Sequence, residues 1–484
     1  MASWELDFSS IFTPENIAIV GVSPNFMKWG AIITANIVIG GYDKKLFLIN
    51  PKHKRIYGIR SFPSIKDIRG TIDLVYIALP SKNIFNVLEE CGEKGVKSCV
   101  IIAGGFSETG LDGKDLENDV VKIANKYKIQ IVGPNTMGVC NPSHNFYGLM
   151  PPINPKPGNI GFISQSGNLG TQLMSLGEIQ GIGFSKFVSS GNEILLRTED
   201  YLEYLGRDPD TKVILCYIEG LRDGRKFLEV AKKITPHKPI IVYKAGKTAA
   251  GSRAAKSHTG SIAGSWEITQ SMFKQAGVIE ASTSLELLDL AKAFSKLPLL
   301  RGKRIGVLSW GGGWAVVCAD HLMQVGLEVP PLKADAIEDL NKLLPPYWSK
   351  TNPIDLVGTL DRRNQLKSLR ILFDSGMDGI VVLGVLTGLA FENLKKYQQI
   401  VNIPEKDLEI LIKEFEKTDI RFVKNIKKLV DIGQKPIVAV ALSSEEVQEE
   451  FKRQIVIYPQ PETAANILAK MYQYYLNTLK RKNM

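Results

Sequence analysis

A single histidine, His258, lies in the stretch from Lys244 to Ser265, where sixteen of 22 residues are Gly, Ala, Ser or Thr. Four more are basic (Lys244, Lys247, Arg253, Lys256) and none is acidic. A segment with so little bulk cannot fill a core, so it predicts a mobile loop carrying one imidazole through surroundings that favour phosphate. Imidazole has an unperturbed pKa of about 6.5, so much of it is neutral near physiological pH and able to attack as a nucleophile. A second candidate is Glu219, which follows the apolar run Val213–Ile218. That spacing puts a carboxylate at the C-terminal edge of a sheet, where open α/β folds do their chemistry. A carboxylate bonded to one imidazole nitrogen fixes the tautomer and stabilises the charge that forms when the other nitrogen reacts. The same residue would also suit a helix start, favoured there by the dipole. The third group is the turn Ser164-Gln-Ser-Gly-Asn168, where backbone N–H groups at a helix start and the Ser and Asn side chains could cradle a phosphate. Glycine after a strand is also routine turn chemistry.

Three successive units must position these residues. The first opens with a β-rich run, Asn16 to Ser23, then a helix-compatible stretch from Ala31 to Ile39 and a second strand, Leu46 to Lys52. Further strands are expected at Leu74–Leu79, Ser98–Ala103 and Ile129–Val132, separated by helical patterns around Phe85–Lys94 and Leu116–Lys126. Short apolar strands alternating with amphipathic helices indicate a parallel sheet covered on both faces. A nicotinamide dinucleotide site places Asp or Glu at the end of the second strand, to bond the ribose hydroxyls. Here that position reads Asn50-Pro51-Lys52, and the first turn, Gly21 to Gly30, is not GxGxxG. A phosphorylated ribose such as that of coenzyme A fits better than NAD; NADP stays open, as does a solvated turn for Lys52.

The second and third units resemble each other. Ile160 to Gly170 lines up without gaps on Ile305 to Ala315, and each leads into a new strand after glycine, Phe184–Val188 and Leu327–Val329. This predicts two related doubly wound subdomains. In the third unit the turn is glycine flanked by Trp310 and Trp314, better suited to packing or an interface than to phosphate.

The whole chain sets the bounds. Its 484 residues suit about three domains of ~150 residues. A hydrophobic fraction of 44% and a charged fraction of 23% are those of a globular protein. The net charge of +10 suggests anionic ligands, but basic and acidic residues are interspersed, without the aromatic–basic alternation of a nucleic-acid groove. Small phosphorylated ligands are expected, not nucleic acid. The five cysteines form no CxxC pair, which argues for a reducing cytoplasm and against disulfides or a metal site. The residues Met1 to Phe8 show no basic region followed by an apolar one, so no secretory signal is expected, and the longest uncharged apolar run, Gly379 to Phe391, is too short to span a membrane.

Motifs in order along nearly the whole chain carry a resemblance: Ile19-Val-Gly-Val-Ser23, Asn50-Pro-Lys52, Gly104-Gly-Phe-Ser-Glu108, Gly133-Pro-Asn135, Ser164-Gln-Ser-Gly167, Tyr217-Ile-Glu-Gly220 and Ser257-His-Thr-Gly260. Together they resemble the α subunit of the NDP-forming acyl-CoA synthetases, in the ADP-forming acetyl-CoA synthetase branch, with succinyl-CoA synthetase a more distant cousin. The resemblance implies a Rossmann-like coenzyme A-binding domain over 1–140. A flavodoxin-like domain carrying the histidine would span 141–298, and a second flavodoxin-like domain 299–484. It implies coenzyme A contacts from Gly21, Val22, Ser23, Asn50, Pro51, Lys52, Ala78, Pro80, Gly104 and Gly105. His258 would be the phosphohistidine, with Glu219 holding its ring. Ser166, Gly167 and Asn168 would receive the phosphoryl group, and Asn135 would lie beside the acyl thioester. The family commonly shows Ser-Ala-Gly-Phe where this chain has Ala103-Gly-Gly-Phe106.

The implied reaction converts acyl-CoA, phosphate and ADP to acid, coenzyme A and ATP through acyl phosphate and phosphohistidine. Three doubly wound units leave no room for an ATP-grasp domain. ADP or ATP with Mg²⁺ is therefore expected on a separate ATP-grasp β subunit, in an α₂β₂ heterotetramer, with Trp310 and Trp314 as candidate contacts. Two other readings are an NADP-linked oxidoreductase, which leaves His258 idle, and a non-catalytic coenzyme A-binding regulatory protein. The charged stretch from Glu392 to Asp431 is expected to be helical, with no assigned role.

Overall fold

The computed structural model describes residues 4–259, 265–359, 361–386, 400, 404–441 and 454–482; side chains are described for the same residues except 255–259, 415, 416 and 480–482. The chain divides into two compact units, Met1–Ala291 and Lys292–Met484. The first unit holds two sheets and the second holds one.

The first sheet contains β1 (Asn16–Val20), β2 (Lys45–Ile49), β3 (Arg55–Ile56), β4 (Ile59–Phe62), β5 (Leu74–Ile77), β6 (Ser98–Ile101) and β7 (Gln130–Val132), in the order β3-β4-β2-β1-β5-β6-β7. All pairings are parallel except β3 with β4. Without the β3 hairpin, this is the 3-2-1-4-5-6 order of a dinucleotide-type fold, with its switch point between β1 and β5. Each strand is too short to hold its place by hydrogen bonds alone. What fixes β5 and β6 is that every side chain in them is buried, which requires helices on both faces. The helix Ile84–Lys94 supplies one cover through Ile84, Leu88 and Cys91, and ends at Gly95 in the left-handed conformation.

The second sheet contains β8 (Gly138–Asn141), β9 (Phe146–Leu149), β10 (Pro157–Ser164), β11 (Phe184–Ser189), β12 (Val213–Ile218), β13 (Ile240–Lys244) and β14 (Ile279–Glu280). Its order is β14-β13-β12-β10-β11-β8-β9. The five strands from β10 onward run parallel in the 2-1-3-4-5 order of flavodoxin, and the β8–β9 hairpin adds antiparallel to β11. The domain boundary expected at 140 thus passes through β8. In the second unit, β15 (Ile305–Ser309), β16 (Ile354–Asp355), β17 (Gly379–Leu383), β18 (Ile437–Val440) and β19 (Val456–Tyr458) repeat the 2-1-3-4-5 order, all parallel. The α/β class, with one Rossmann-like and two flavodoxin-like sheets, is the one expected.

Two local expectations differ. The segment after β13 forms the helix Ala249–Thr259 where a loop was expected. The reason is local: alanine has the best helix propensity, and Thr248 caps the start by accepting from the Gly251 N–H at 3.1 Å. Leu327–Val329 forms no full strand; Glu328 makes one parallel bridge to Arg304, and the edge of the sheet is β16. The charged stretch beginning at Glu392 contains the 29-residue helix Glu405–Gly433; residues 392–399 and 401–403 lie outside the described residues. No described helix is long and apolar enough to cross a membrane. All five cysteines are buried and unbridged.

Candidate functional site

The switch point of the first sheet opens into a cleft of about 560 Å³. Its lining includes Gly21, Val22, Ser23, Asn50, Pro51, Lys52, Ala78 and Pro80, so eight of the ten residues singled out for coenzyme A share one cavity. Gly21 has φ +90°, and a Cβ there would lie 2.4 Å from the Ala78 carbonyl oxygen. Only glycine lets the two strand ends approach so closely. Asn50 has a scaffold role: its amide donates to the Val22 carbonyl at 2.7 Å while its Oδ1 accepts from the Lys52 N–H at 2.8 Å. One side chain thereby ties the turn after β1 to the turn after β2. Lys28 and Lys52 bring positive charge to the lining, and the carboxylate of Glu90 accepts from Ser64 at 2.7 Å. Two lysines, a backbone open to close approach and no carboxylate at the end of β2 fit a phosphorylated-ribose ligand.

Gly104 and Gly105 lie outside this cleft, in the loop after β6. Gly105 donates its N–H to Glu108 Oε1 at 2.7 Å, and a Cβ on Gly104 would be 3.3 Å from Asn135 Oδ1. Neither lines the second pocket, of about 170 Å³, where Asn135 meets Gln165, Ser166, Gly167 and Asn168. Residues expected separately as acyl site and phosphate cradle converge there. Asn135 is placed by the end of β7: it has φ +59° and its N–H bonds the Ala103 carbonyl at 2.9 Å. Ser166 caps the helix Gly167–Ile179, whose first N–H groups provide the positive end of a helix dipole.

Two polar residues that line the pocket, Gln165 and Asn192, and Glu193 behind Gln165 were not singled out. Gln165 accepts from the Glu219 and Gly220 N–H groups at 2.7 and 3.0 Å, and donates to the Gly220 carbonyl at 2.7 Å. It bolts the phosphate turn to the end of β12. Asn192 donates to Glu108 Oε2 at 2.6 Å and to Glu117 Oε1 at 2.9 Å, and accepts from Asn135 Nδ2 at 3.3 Å. Burial would raise the Glu108 carboxyl, but Asn192 and the backbone N–H groups of residues 108, 106 and 105 outweigh it and hold it below its ordinary value. Glu193 accepts from Ser190 at 2.7 Å, Thr198 at 2.6 Å and Gln165 at 3.1 Å. The signal for Asn192 was available: Ser189-Ser-Gly-Asn192 after β11 has the same turn chemistry as Ser164 to Asn168.

Glu219 is 6% exposed at the C-terminal end of β12, with the Tyr217 hydroxyl 3.4 Å from its Oε1. Its carbonyl accepts from Lys244 Nζ at 2.7 Å. Lys244 is therefore buried scaffold, and Lys247 pairs with Glu280 at 2.7 Å, so neither lends its charge to an open phosphate region as expected. Arg253 is exposed. His258 falls within the helix Ala249–Thr259, which passes beside the turn Ser107–Thr109; its side chain, like that of Lys256, lies outside the described residues. In the second unit, Trp310 donates its indole N–H to the Thr359 carbonyl at 3.1 Å and packs on the core, whereas Trp314 is 51% exposed.

Close behind this site, burial lifts the Glu199 carboxyl to about 7, with repulsion from Glu193 adding to it. The folded state binds this proton more tightly than the unfolded chain, where glutamate titrates near 4.5. The stability it contributes is full below pH 4.5 and is lost as pH rises through 7. Glu199→Gln should flatten this decline and gain up to about 3 kcal/mol at pH 8. Denaturant unfolding at pH 5 and pH 8 checks it: equal effects of the substitution at both would refute the shift.

Comparison with known proteins places these pockets in context. Residues 15–142 match the family model for a CoA binding domain, and residues 157–294 match that for a succinyl-CoA ligase like flavodoxin domain. The chain is 41% identical over 382 residues to acetate–CoA ligase [ADP-forming] II subunit alpha of Pyrococcus furiosus, covering 78% of this chain and 82% of that one. It is also 41% identical to the ADP-forming acetate–CoA ligase of Methanocaldococcus jannaschii, covering 73% of this chain but only 49% of that longer polypeptide. Among solved structures, dinucleotide-forming acetyl-coenzyme A synthetase 1 of Ca. Korarchaeum cryptofilum, in complex with phosphate and ADP, superposes with a TM-score of 0.85 at 32% identity. That match covers 99% of this chain and 98% of the other.

Proposed function

Because the chain belongs to the family of ADP-forming acetate–CoA ligase α subunits, we propose that its two pockets are the coenzyme A site and the acyl–phosphoryl site of that reaction. The chain is the α subunit of an NDP-forming acid–CoA ligase; the enzyme's cofactors are coenzyme A and ADP/ATP with Mg²⁺, and we assign the nucleotide and its metal to the partner subunit. This sets aside the oxidoreductase reading.

In the acyl-CoA-consuming direction, phosphate attacks the acyl carbonyl, the C–S bond breaks, and acyl phosphate and coenzyme A result. The neutral His258 imidazole then attacks phosphorus, the acid leaves as carboxylate, and phosphohistidine forms. Transfer to ADP gives ATP and restores the imidazole. Asn135 and Asn168 offer amides to the carbonyl and phosphoryl oxygens, and the helix start at Ser166 offers N–H groups that favour the dianion. Glu219 balances the positive charge of the ring during transfer.

The observation that carries this reading is the convergence of Asn135 with Ser166, Gly167 and Asn168 on one pocket in the same unit as the lysine-bearing cleft. As an α subunit, the chain works with a second subunit. We assign that partner an ATP-grasp fold and the assembly an α₂β₂ composition, because all three sheets of the described residues are doubly wound. A nucleotide triphosphate site needs Mg²⁺ ligands and a covering domain of its own.

The test is to supply acetyl-CoA, labelled phosphate and Mg·ADP to the chain alone and to the chain with its partner. ATP should form only with both present, and the chain alone should bind coenzyme A. ATP synthesis by the chain alone, or tight Mg·ADP binding to it in calorimetry, would overturn the assignment.

A further inference from the structure

The pocket shared by Asn135 and Ser166 has an apolar wall made of Ile102, Met137 and Met150. The two methionines face each other where the β8–β9 hairpin begins: the Met150 N–H donates to the Met137 carbonyl at 2.9 Å, and the Met137 N–H donates to Ser189 Oγ at 3.0 Å. Their backbones are pinned, while each side chain keeps three rotatable bonds. Met137 reaches the phosphate turn itself, since a Cβ on Gly167 would lie 2.3 Å from Met137 Cγ. Met150 is buried at 7% exposure.

At about 170 Å³ the pocket has room for roughly five or six water-sized groups of ~30 Å³ each. Once phosphate is in place, little remains for an acyl chain. Among the described residues, none lining the pocket is charged. Behind its polar wall, Asn192 holds two carboxylates, Glu108 and Glu117, and the first of these is kept ionised. A second carboxylate on the acid would meet repulsion from that side.

From this packing we infer that Met137 and Met150 set the acyl-chain length, confining the enzyme to short, uncharged aliphatic acids and excluding dicarboxylates. The inference rests on reading this pocket as the acyl site. The methionines act by occupying volume, so their removal should widen the range of acids and leave coenzyme A affinity alone.

The test uses the chain with its partner subunit and compares kcat/KM for acetate, propionate, butyrate, hexanoate and succinate. Met137→Ala and Met150→Ala should each raise the hexanoate-to-acetate ratio about tenfold or more, the effect expected of space for added methylenes. Met137→Phe should lower butyrate relative to acetate. Ratios unchanged in folded variants, or succinate used by the unaltered enzyme as well as acetate, would overturn the proposal. Should the alanine variants fail to fold, the Met137→Phe ratio and the wild-type acid series decide it. Asn168→Ala separates this from failure of the underlying reading: it should depress turnover of every acid alike. If it does so while the methionine variants keep wild-type ratios, only the wall is wrong. If it leaves all acids unaffected, the acyl site lies elsewhere.

Discussion

His258→Ala should abolish ADP-dependent turnover, with a loss of at least ~10³-fold, as expected when a covalent nucleophile is removed. The same protein should bind coenzyme A normally, since the cleft at Gly21, Asn50 and Lys52 belongs to other elements. Labelled phosphate should attach to the unaltered chain in a bond that acid breaks and alkali spares, as phosphoramidates behave and serine esters do not. His53, His144, His237 and His321 should be dispensable for labelling; His144 is held 3.0 Å from the Asn141 amide and His321 lies 3.3 Å from Asn466. Label that survives in the alanine protein, or that resists acid, would remove His258 from the mechanism.

Glu219→Gln should lower kcat by ~10²–10⁴-fold, the range for a positioned acid–base partner. The substitution is nearly isosteric, and the backbone of residue 219 is held independently by Gln165 and Lys244, so the fold should not move. What is lost is negative charge in a site that is 6% exposed, where water cannot replace it. The loss falls on the step in which the imidazole becomes positive, so coenzyme A affinity should stay within about twofold. Rapid-mix labelling separates the steps: acyl phosphate should still form while phosphohistidine accumulates slowly. Unchanged turnover would make Glu219 a helix-start carboxylate and nothing more.

The parallel architecture was legible because each buried strand is a continuous apolar run, as in Leu74–Ile77 and Val213–Ile218. The cleft was legible from one missing charge, the carboxylate absent from Asn50-Pro51-Lys52. The methionine wall was not. It hangs on an antiparallel hairpin of two four-residue strands, built at the chain's passage from one sheet to the next, and such strands leave no periodic signal. Asn192 carried a turn signal, but its pairing did not: its partners lie on the turn Ser107–Thr109 (Glu108) and the helix Leu111–Tyr127 (Glu117), and nothing local announces that pairing. The basic residues misled in part. Lys244 and Lys247 looked like phosphate attractors but serve a carbonyl and a carboxylate inside the fold.

If His258 is the phosphoryl carrier proposed above, the helix Ala249–Thr259 changes what that carrier can be. Eleven residues measure about 16 Å as a helix, at 1.5 Å each, against roughly 36 Å fully extended. Travel to a distant station therefore either swings a short rigid arm or uncoils one. An uncoiling arm would make the transfer rate depend on how firmly three turns of an alanine-rich helix hold together. Temperature and helix-favouring substitutions would then govern throughput without touching a single reacting atom.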